Sequence, residues 1–480
     1  MAVSFLNLLD KFRPHKIYRP SPILGIVQFL VLAFFWFAII YGATTVTTVL
    51  FAKVIPEILY NLKLFAVADV VYYLAPLIAV MVLIPANATF LVLNERKILA
   101  LLTVRCGPNR VGLNGFLQTA ADAIKLLFKE DITPKGADRL LFTLAPVIFF
   151  APSVIAFIPI LAVATGNTGP FLSCDLSIGL LFILAVSSIP VLGLVLGGWA
   201  SNNKYSLIGG LRSAAQAISY EIPMVLTVIS MIVLTGSINL NEIADNQIGG
   251  ILKWNLFAFG NLDLLLNLFP LGKNSLIGLY GLVLLIVCFV LFFMYLISAC
   301  AEVNRIPFDL PEAESELVSG YNTEFTGMKF ALFFLAEYTA LFIICCLASI
   351  LFLGGGHLPV SIGSENKIIE SLSNTSLGNL SWLLPSTVLM LKAYVLIFAS
   401  VWVRATLPRL RYDQLMTFSW KFLIPLSLIN IFVVAVLVSI NDWDLIKPRM
   451  SGFASMSGGL CKAEPRSNVT AGSAVIKTPC

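Results

Sequence analysis

Apolar runs of 18 or more residues recur along this chain from Ile23 to the neighbourhood of Ile440. Such runs match the ~20 residues a helix needs to cross a bilayer core, where every backbone amide must be satisfied within its own segment. Composition agrees: of 480 residues, 58% are hydrophobic and 12% charged, against roughly 25% charged in soluble domains. A soluble globular enzyme is excluded, and an all-α polytopic membrane protein is expected. The 31 Lys and Arg exceed the 26 Asp and Glu by a formal +5. The basic residues are scattered among connecting segments with no stripe to follow a phosphate backbone, so nucleic acid is not an expected partner and membrane lipid is.

Spans are predicted at 23–51, 72–93, 141–165, 178–198, 218–238, 277–301, 330–353, 385–403 and 422–440. With alternating sides, 20 of the 31 basic residues fall on one side, including the N-terminus and segments 94–140, 199–217, 302–329 and 404–421. Ten fall on the other, and Lys392 lies in a span. The excess marks the inner side and leaves the C-terminus outside. Residues 1–71 read as an N-terminal extension with its own membrane helix, 72–440 as the membrane domain, and 441–480 as a polar tail. Lys11, Arg13, Lys16 and Arg19 run into a full-length span, the pattern of a retained anchor. No internal repeat is visible, which weighs against an inverted-repeat transporter.

The eight cysteines contain no C-x-x-C pair, and His15 and His357 lie far apart. A zinc, iron-sulfur or bis-histidine haem site is therefore not expected, and any electron carrier is diffusible or belongs to another subunit. With no G-x-G-x-x-G or P-loop sequence, no nucleotide site is expected either.

Chemistry concentrates in three places. Segment 302–324 sets Glu302, Asp309, Glu312, Glu314, Glu316 and Glu324 against Arg305 alone, a net −5 at the end of a span. Carboxylates so crowded, if partly buried, cannot all ionise and titrate as a coupled set able to hold and pass protons; on a solvated loop they are only surface charge. Pro311 suits the first turn of a short helix carrying Glu312 and Glu316. Glu221 and Glu337 lie within apolar spans, next to Tyr220 and Tyr338. Ionisable groups there are costly, and the choice is between a proton path and a neutral carboxyl bonded to a neighbouring helix. Lys392 is similar, with a stem long enough to reach an interface. Finally, segment 94–130 begins with Glu95, Arg96 and Lys97, reaches Arg105 and a Gly-Pro-Asn turn, and continues as an amphipathic helix around Leu117, Ala121, Ile124, Leu127 and Phe128. Its arginines suit lipid headgroups, or the mouth of a channel for an amphiphile with an apolar tail.

Six stretches in fixed order resemble one family: ERKILALLTVRCGPNRVG (95–112), FLQTAADAIKLLFKED (116–131), GWASNNKYSLIGGLRSAAQAISYEI (198–222), AEVNRIPFDLPEAESELVSGYNTE (301–324), FALFFLAEY (330–338) and VRATLPRLRYDQLM (403–416). The family is subunit 1 of the proton-pumping NADH:ubiquinone oxidoreductase, respiratory complex I, and the resemblance covers residues 72–440. It implies eight family helices plus one added N-terminal helix, and a tunnel by which ubiquinone, the substrate, reaches a partner's iron-sulfur cluster. Arg96, Arg105 and Arg404 would support the tunnel mouth, and Phe308, Asp309, Glu312, Glu314 and Glu316 would face the quinone chamber. Glu302, Glu221 and Glu337, with Tyr220, Tyr338 and Arg305, would form a proton path toward antiporter-like subunits. NADH, FMN and the iron-sulfur clusters would sit on partner subunits of the hydrophilic arm. The chain departs from the usual pattern at Thr103 and Cys106, where many members have Gln and Lys. Related membrane-bound hydrogenases and formate hydrogenlyases contain similar chains, and a stand-alone proton-coupled carrier is a further alternative. The implied location is the mitochondrial inner membrane, with the motif-bearing loops in the matrix and the C-terminus in the intermembrane space; a bacterial plasma membrane is the alternative.

Overall fold

The computed structural model describes residues 55, 65–112, 115–165, 175–257, 275–309, 319–359 and 383–439. The predicted span 23–51, the tail after 440, and Glu312, Glu314 and Glu316 with the predicted short helix at Pro311 lie outside the described residues. Within them the chain is helical throughout, with no strand. The order is α1 (Phe65–Leu102), α2 (Gln118–Leu127), α3 (Arg139–Thr165), α4 (Gly179–Ser187), α5 (Pro190–Ala200), α6 (Lys204–Thr235), α7 (Leu240–Asp245), α8 (Ser275–Glu302), α9 (Gly327–Phe352) and α10 (Leu383–Thr406). Last comes α11 (Tyr412–Ser439), which contains a π turn at Ser419–Leu423. Among the described residues seven helices are long and apolar enough to cross a membrane, counting α4 and α5 as one. The span predicted at 72–93 lies inside the 38-residue α1.

Three departures from the predicted spans have local causes. The run at 178–198 breaks at Ser188 and Ile189, where Pro190, without an amide hydrogen, begins α5 as its first residue. The span predicted from 218 starts at Lys204, because Asn203 caps it by accepting from the Tyr205 amide at 3.1 Å. Hydropathy passes over this early stretch because Ser206, Ser213 and Gln216 are polar, yet all three are buried. Similarly, the last helix starts at Tyr412, not 422. At its other end α6 stops at Gly236, whose φ of 72° is the left-handed turn of a helix cap.

Lipid is as apolar as leucine, so helices in a membrane associate through close packing and polar contacts more than through hydrophobic burial. The core reflects this. Gly198 of α5 lies against Gly210 of α6, and a Cβ on Gly198 would meet the Ser206 carbonyl oxygen at 2.8 Å. Gly193, four residues before Gly197, similarly packs on the Phe149 backbone of α3. Around α3 and α9 the centre fills with aromatic rings, Phe157 on Phe342 at 5.5 Å and Phe342 on Tyr394 at 6.1 Å. Phe432, Leu192 and Trp199 are exposed on the outer face, as expected where lipid is the solvent.

Candidate functional site: a buried ion cluster and the carboxylates beside it

The helices α1, α8, α9 and α10 meet at Arg305. Its loop leaves α8 at Glu302, turns through Asn304 at a φ of 55°, and doubles back so that the Phe308 amide donates to the Arg305 carbonyl at 2.7 Å. The loop is held from two sides. Gln216 of α6 donates through Nε2 to the Ala301 and Phe308 carbonyls, at 2.8 and 2.7 Å. From the segment between α10 and α11, Arg409 Nη2 reaches Asp309 Oδ2 at 3.1 Å, and the Leu410 amide donates to the Pro307 carbonyl.

So fixed, the buried Arg305 faces two acids. Nη1 donates to both oxygens of Glu95, at 3.1 and 3.2 Å, and Nε lies 3.1 Å from Glu337 Oε1. The guanidinium also rests on the Tyr338 ring, 4.2 Å from its centroid. A second arginine, Arg404 at the end of α10, bonds Glu95 from the opposite side. Two arginines and two glutamates thus form one buried network of zero formal charge. Burial on its own works against the Arg305 cation, and Glu337 and Glu95 more than offset it, raising its pKa further. Such groups are stable only as a set, because removing one partner leaves an uncompensated charge in a poorly solvated site.

Beside the cluster a cavity of ≈ 80 Å³, room for a few waters, is lined by Glu302, Asn304, Tyr321 and Glu337 among apolar residues of α3 to α6. Glu302 Oε2 is buried there without a hydrogen-bond partner among the described residues. Its carboxyl is also within electrostatic reach of Glu221 on α6. Cluster, cavity and Glu221 thus form a row of ionisable groups from α1 to α6, a chemistry suited to storing charge and passing protons through water.

The structure unites Arg305, Glu337, Tyr338 and Arg404, as their roles require, and puts Glu302 and Glu221 in mutual range. It separates others. Arg96 is half exposed and pairs with Asp122 of α2 at 2.8 Å, tying the amphipathic helix to the end of α1. Arg105 is exposed beyond the end of α1. Phe308 is packed in a core with Tyr220, ring centroids 5.6 Å apart. The tyrosines do not partner the carboxyls next to them in sequence: Tyr220 donates to the Leu415 carbonyl at 2.9 Å, and Tyr338 bonds Glu95, not Glu337. The amphipathic helix exists, but Ile124, Leu127 and Phe128 are exposed and form an outward apolar face.

Sequence reasoning did not single out Glu95, the acid both arginines share. The signal was present, since Glu95 heads the charged triplet at the end of a span, where a buried acid needs basic partners. Gln216 and Arg409 were also missed; nothing in a polar residue's local sequence says which distant loop it holds.

The geometry defines the class: a multi-pass helical membrane protein with a charge-balanced ion cluster and intramembrane carboxylates. The profile of the NADH dehydrogenase family matches residues 74–435, and the chain belongs to that family. The chain is 44% identical over 356 residues to a membrane-subunit relative from Brevibacillus brevis that carries the name of an NADH-quinone oxidoreductase subunit, covering 74% of this chain and 89% of the relative. The identically named protein of Geobacillus thermodenitrificans is 44% identical over 355 residues, with 73% and 90% covered. A third NADH-quinone oxidoreductase subunit, from Koribacter versatilis, is 42% identical over 381 residues, 76% and 96% of the two chains.

Proposed function

We propose that the chain is the quinone-tunnel membrane subunit of a proton-translocating NADH:ubiquinone oxidoreductase. Family membership and the relatives' names support the complex, and the observation that carries the finer reading is the ion cluster of Glu95, Arg305, Glu337 and Arg404. Ubiquinone is the substrate, taking up two electrons and two protons to become the quinol; the electrons come from iron-sulfur clusters on a partner, as do NADH oxidation and FMN. This chain's part is to admit the quinone between α1, α2 and α10, with Arg96, Arg105 and Arg404 at the mouth and Phe308 and Asp309, with Glu312, Glu314 and Glu316, toward the chamber. Proton uptake by the quinone changes the charge facing Arg305. The balance among Glu95, Glu337, Glu302 and Glu221 shifts in response, because charges this close in a low dielectric are coupled. That relay runs toward the antiporter-like and small membrane-arm subunits. Residues 72–440 form this domain, flanked by extensions at 1–71 and 441–480, in the mitochondrial inner membrane with the basic loops facing the matrix.

The test uses the assembled complex in its membrane. Glu302→Gln keeps the side-chain volume and removes the titration. It should abolish most quinone-linked NADH oxidation, while NADH oxidation by a water-soluble acceptor that bypasses the quinone stays at the wild-type level. Arg404→Gln should raise the quinone KM. Wild-type quinone kinetics and proton-to-electron ratio in both variants would remove these residues from the path.

A further inference from the structure

At the C-terminal end of α9, far from Arg305, the last carbonyls of the helix are bonded from outside it. Gln247 donates to the Ile350 carbonyl at 2.9 Å, Asn255 to that of Leu351 at 2.8 Å, and the Leu256 amide to that of Phe352 at 3.0 Å. The next three bonds come from one side chain. Lys392 of α10 extends its Nζ to the carbonyls of Leu353, Gly355 and His357, at 2.7, 2.9 and 2.7 Å. Gly354 and Gly355, at φ 73° and 51°, turn the backbone so that these oxygens converge. Trp254 closes the site, its ring centroid 4.4 Å from the ammonium, and a Cβ on Gly354 would come within 2.6 Å of Trp254 Nε1. An ammonium has three donors, and all three are met by carbonyl oxygens of a single turn.

We propose that Lys392 is a positioning residue: its ammonium, held in this carbonyl cage, sets the register of α10 against α9 and thereby places Arg404 and Glu337 in the ion cluster. The same two helices carry both ends of the argument. On α10, Lys392 and Arg404 are separated by about 18 Å of helix at 1.5 Å per residue. On α9, Glu337 and the cage at Leu353 stand on the same continuous helix. Between them the helices meet through apolar contacts such as Phe342 with Tyr394. In a bilayer such contacts discriminate poorly between registers, because lipid replaces them at little cost. A cation bound by three oxygens of one turn does discriminate, since displacement by a turn leaves it unsolvated.

The kinetic readout rests on the quinone reading, so Arg404→Gln is measured alongside, all in the intact complex. Lys392→Ala should lower kcat/KM for quinone about tenfold or more, as expected of a misplaced binding group, with NADH oxidation by the bypassing acceptor unchanged. Lys392→Arg should restore most of it. Propylammonium, which replaces the deleted carbons and charge, should partly rescue Lys392→Ala, and the neutral 1-propanol should not. Wild-type quinone kinetics in Lys392→Ala, equal rescue by 1-propanol, or no recovery with either arginine or propylammonium overturns the proposal. Should Lys392→Ala fail to assemble, Lys392→Arg and Lys392→Met decide: recovery with Arg alone supports the cation, and equal behaviour overturns it. A shift in Arg404→Gln alone removes only the Lys392 proposal, while normal kinetics in both variants removes the quinone reading and this proposal with it.

Discussion

Arg305 and Lys392 are two cations held against the same helix, α9, and they are compensated in different ways. Arg305 is matched by the formal charges of Glu95 and Glu337, supplied from α1 and α9. Lys392 is matched by the neutral carbonyls of Leu353, Gly355 and His357. The first arrangement is a titratable network, whose charge changes when any carboxylate takes a proton. The second donates only to backbone, so its acceptors have no proton to gain across the physiological pH range. A membrane protein that moves charge needs both kinds: a part that responds and a frame that does not.

The largest expected effect breaks the responsive half. Arg305→Gln leaves Glu95 and Glu337 in a buried site with only Arg404 to oppose them. Removing one member of a buried ion set costs about 3–5 kcal/mol, so this variant should sharply reduce the assembled complex, read by native electrophoresis and thermal inactivation. A yield and melting temperature equal to wild type would show that the cluster is solvated in the assembly. Next, Glu95→Gln and Arg404→Gln should not add. The double variant should be less damaging than the sum, with a coupling of roughly 0.5–3 kcal/mol, measurable by denaturation of the purified complex. Strict additivity would dissolve the network into independent pairs.

Gly198→Ala tests the frame where it depends on shape alone. The added methyl would press on the Ser206 carbonyl oxygen at 2.8 Å, and overpacking of this sort costs about 1–3 kcal/mol. Separation of α5 from α6 should appear as lower thermal stability with the Arg305 cluster chemically unaltered. The smallest effect is expected at Arg96 and Asp122, whose side chains are 49% and 31% exposed. Neutralising either should change stability by only about 0.2–1 kcal/mol, with any larger effect confined to quinone kinetics. A stability loss as great as that of Arg305→Gln would mean that partner subunits bury this pair.

Much of the site was legible because charge in a membrane span is conspicuous. Glu221, Glu337 and Lys392 could be picked out one at a time, each as an ionisable residue in an apolar run. Their partners could not. Lys392 suggested a side chain reaching for an interface, whereas it is bound by a turn near residue 355 in a different segment. That turn is braced by Gln247 and Asn255 from a stretch whose Asn-, Gly- and Leu-rich sequence carried no motif. Tyr220 and Tyr338 were next to acids in sequence and bond something else in space, because consecutive helical residues point in different directions.

By itself the sequence determined that this chain spans a membrane as helices, since apolar length and the need to satisfy the backbone leave no other solution in lipid. Its ordered motifs also pointed to the family that the match over residues 74–435 establishes. Only the tertiary structure decided which charge neutralises which. Glu95 and Arg305 are 210 residues apart, and Glu95 and Arg404 are 309 apart. Electrostatic pairing depends on distance in space, and that distance exists only once the helices have packed.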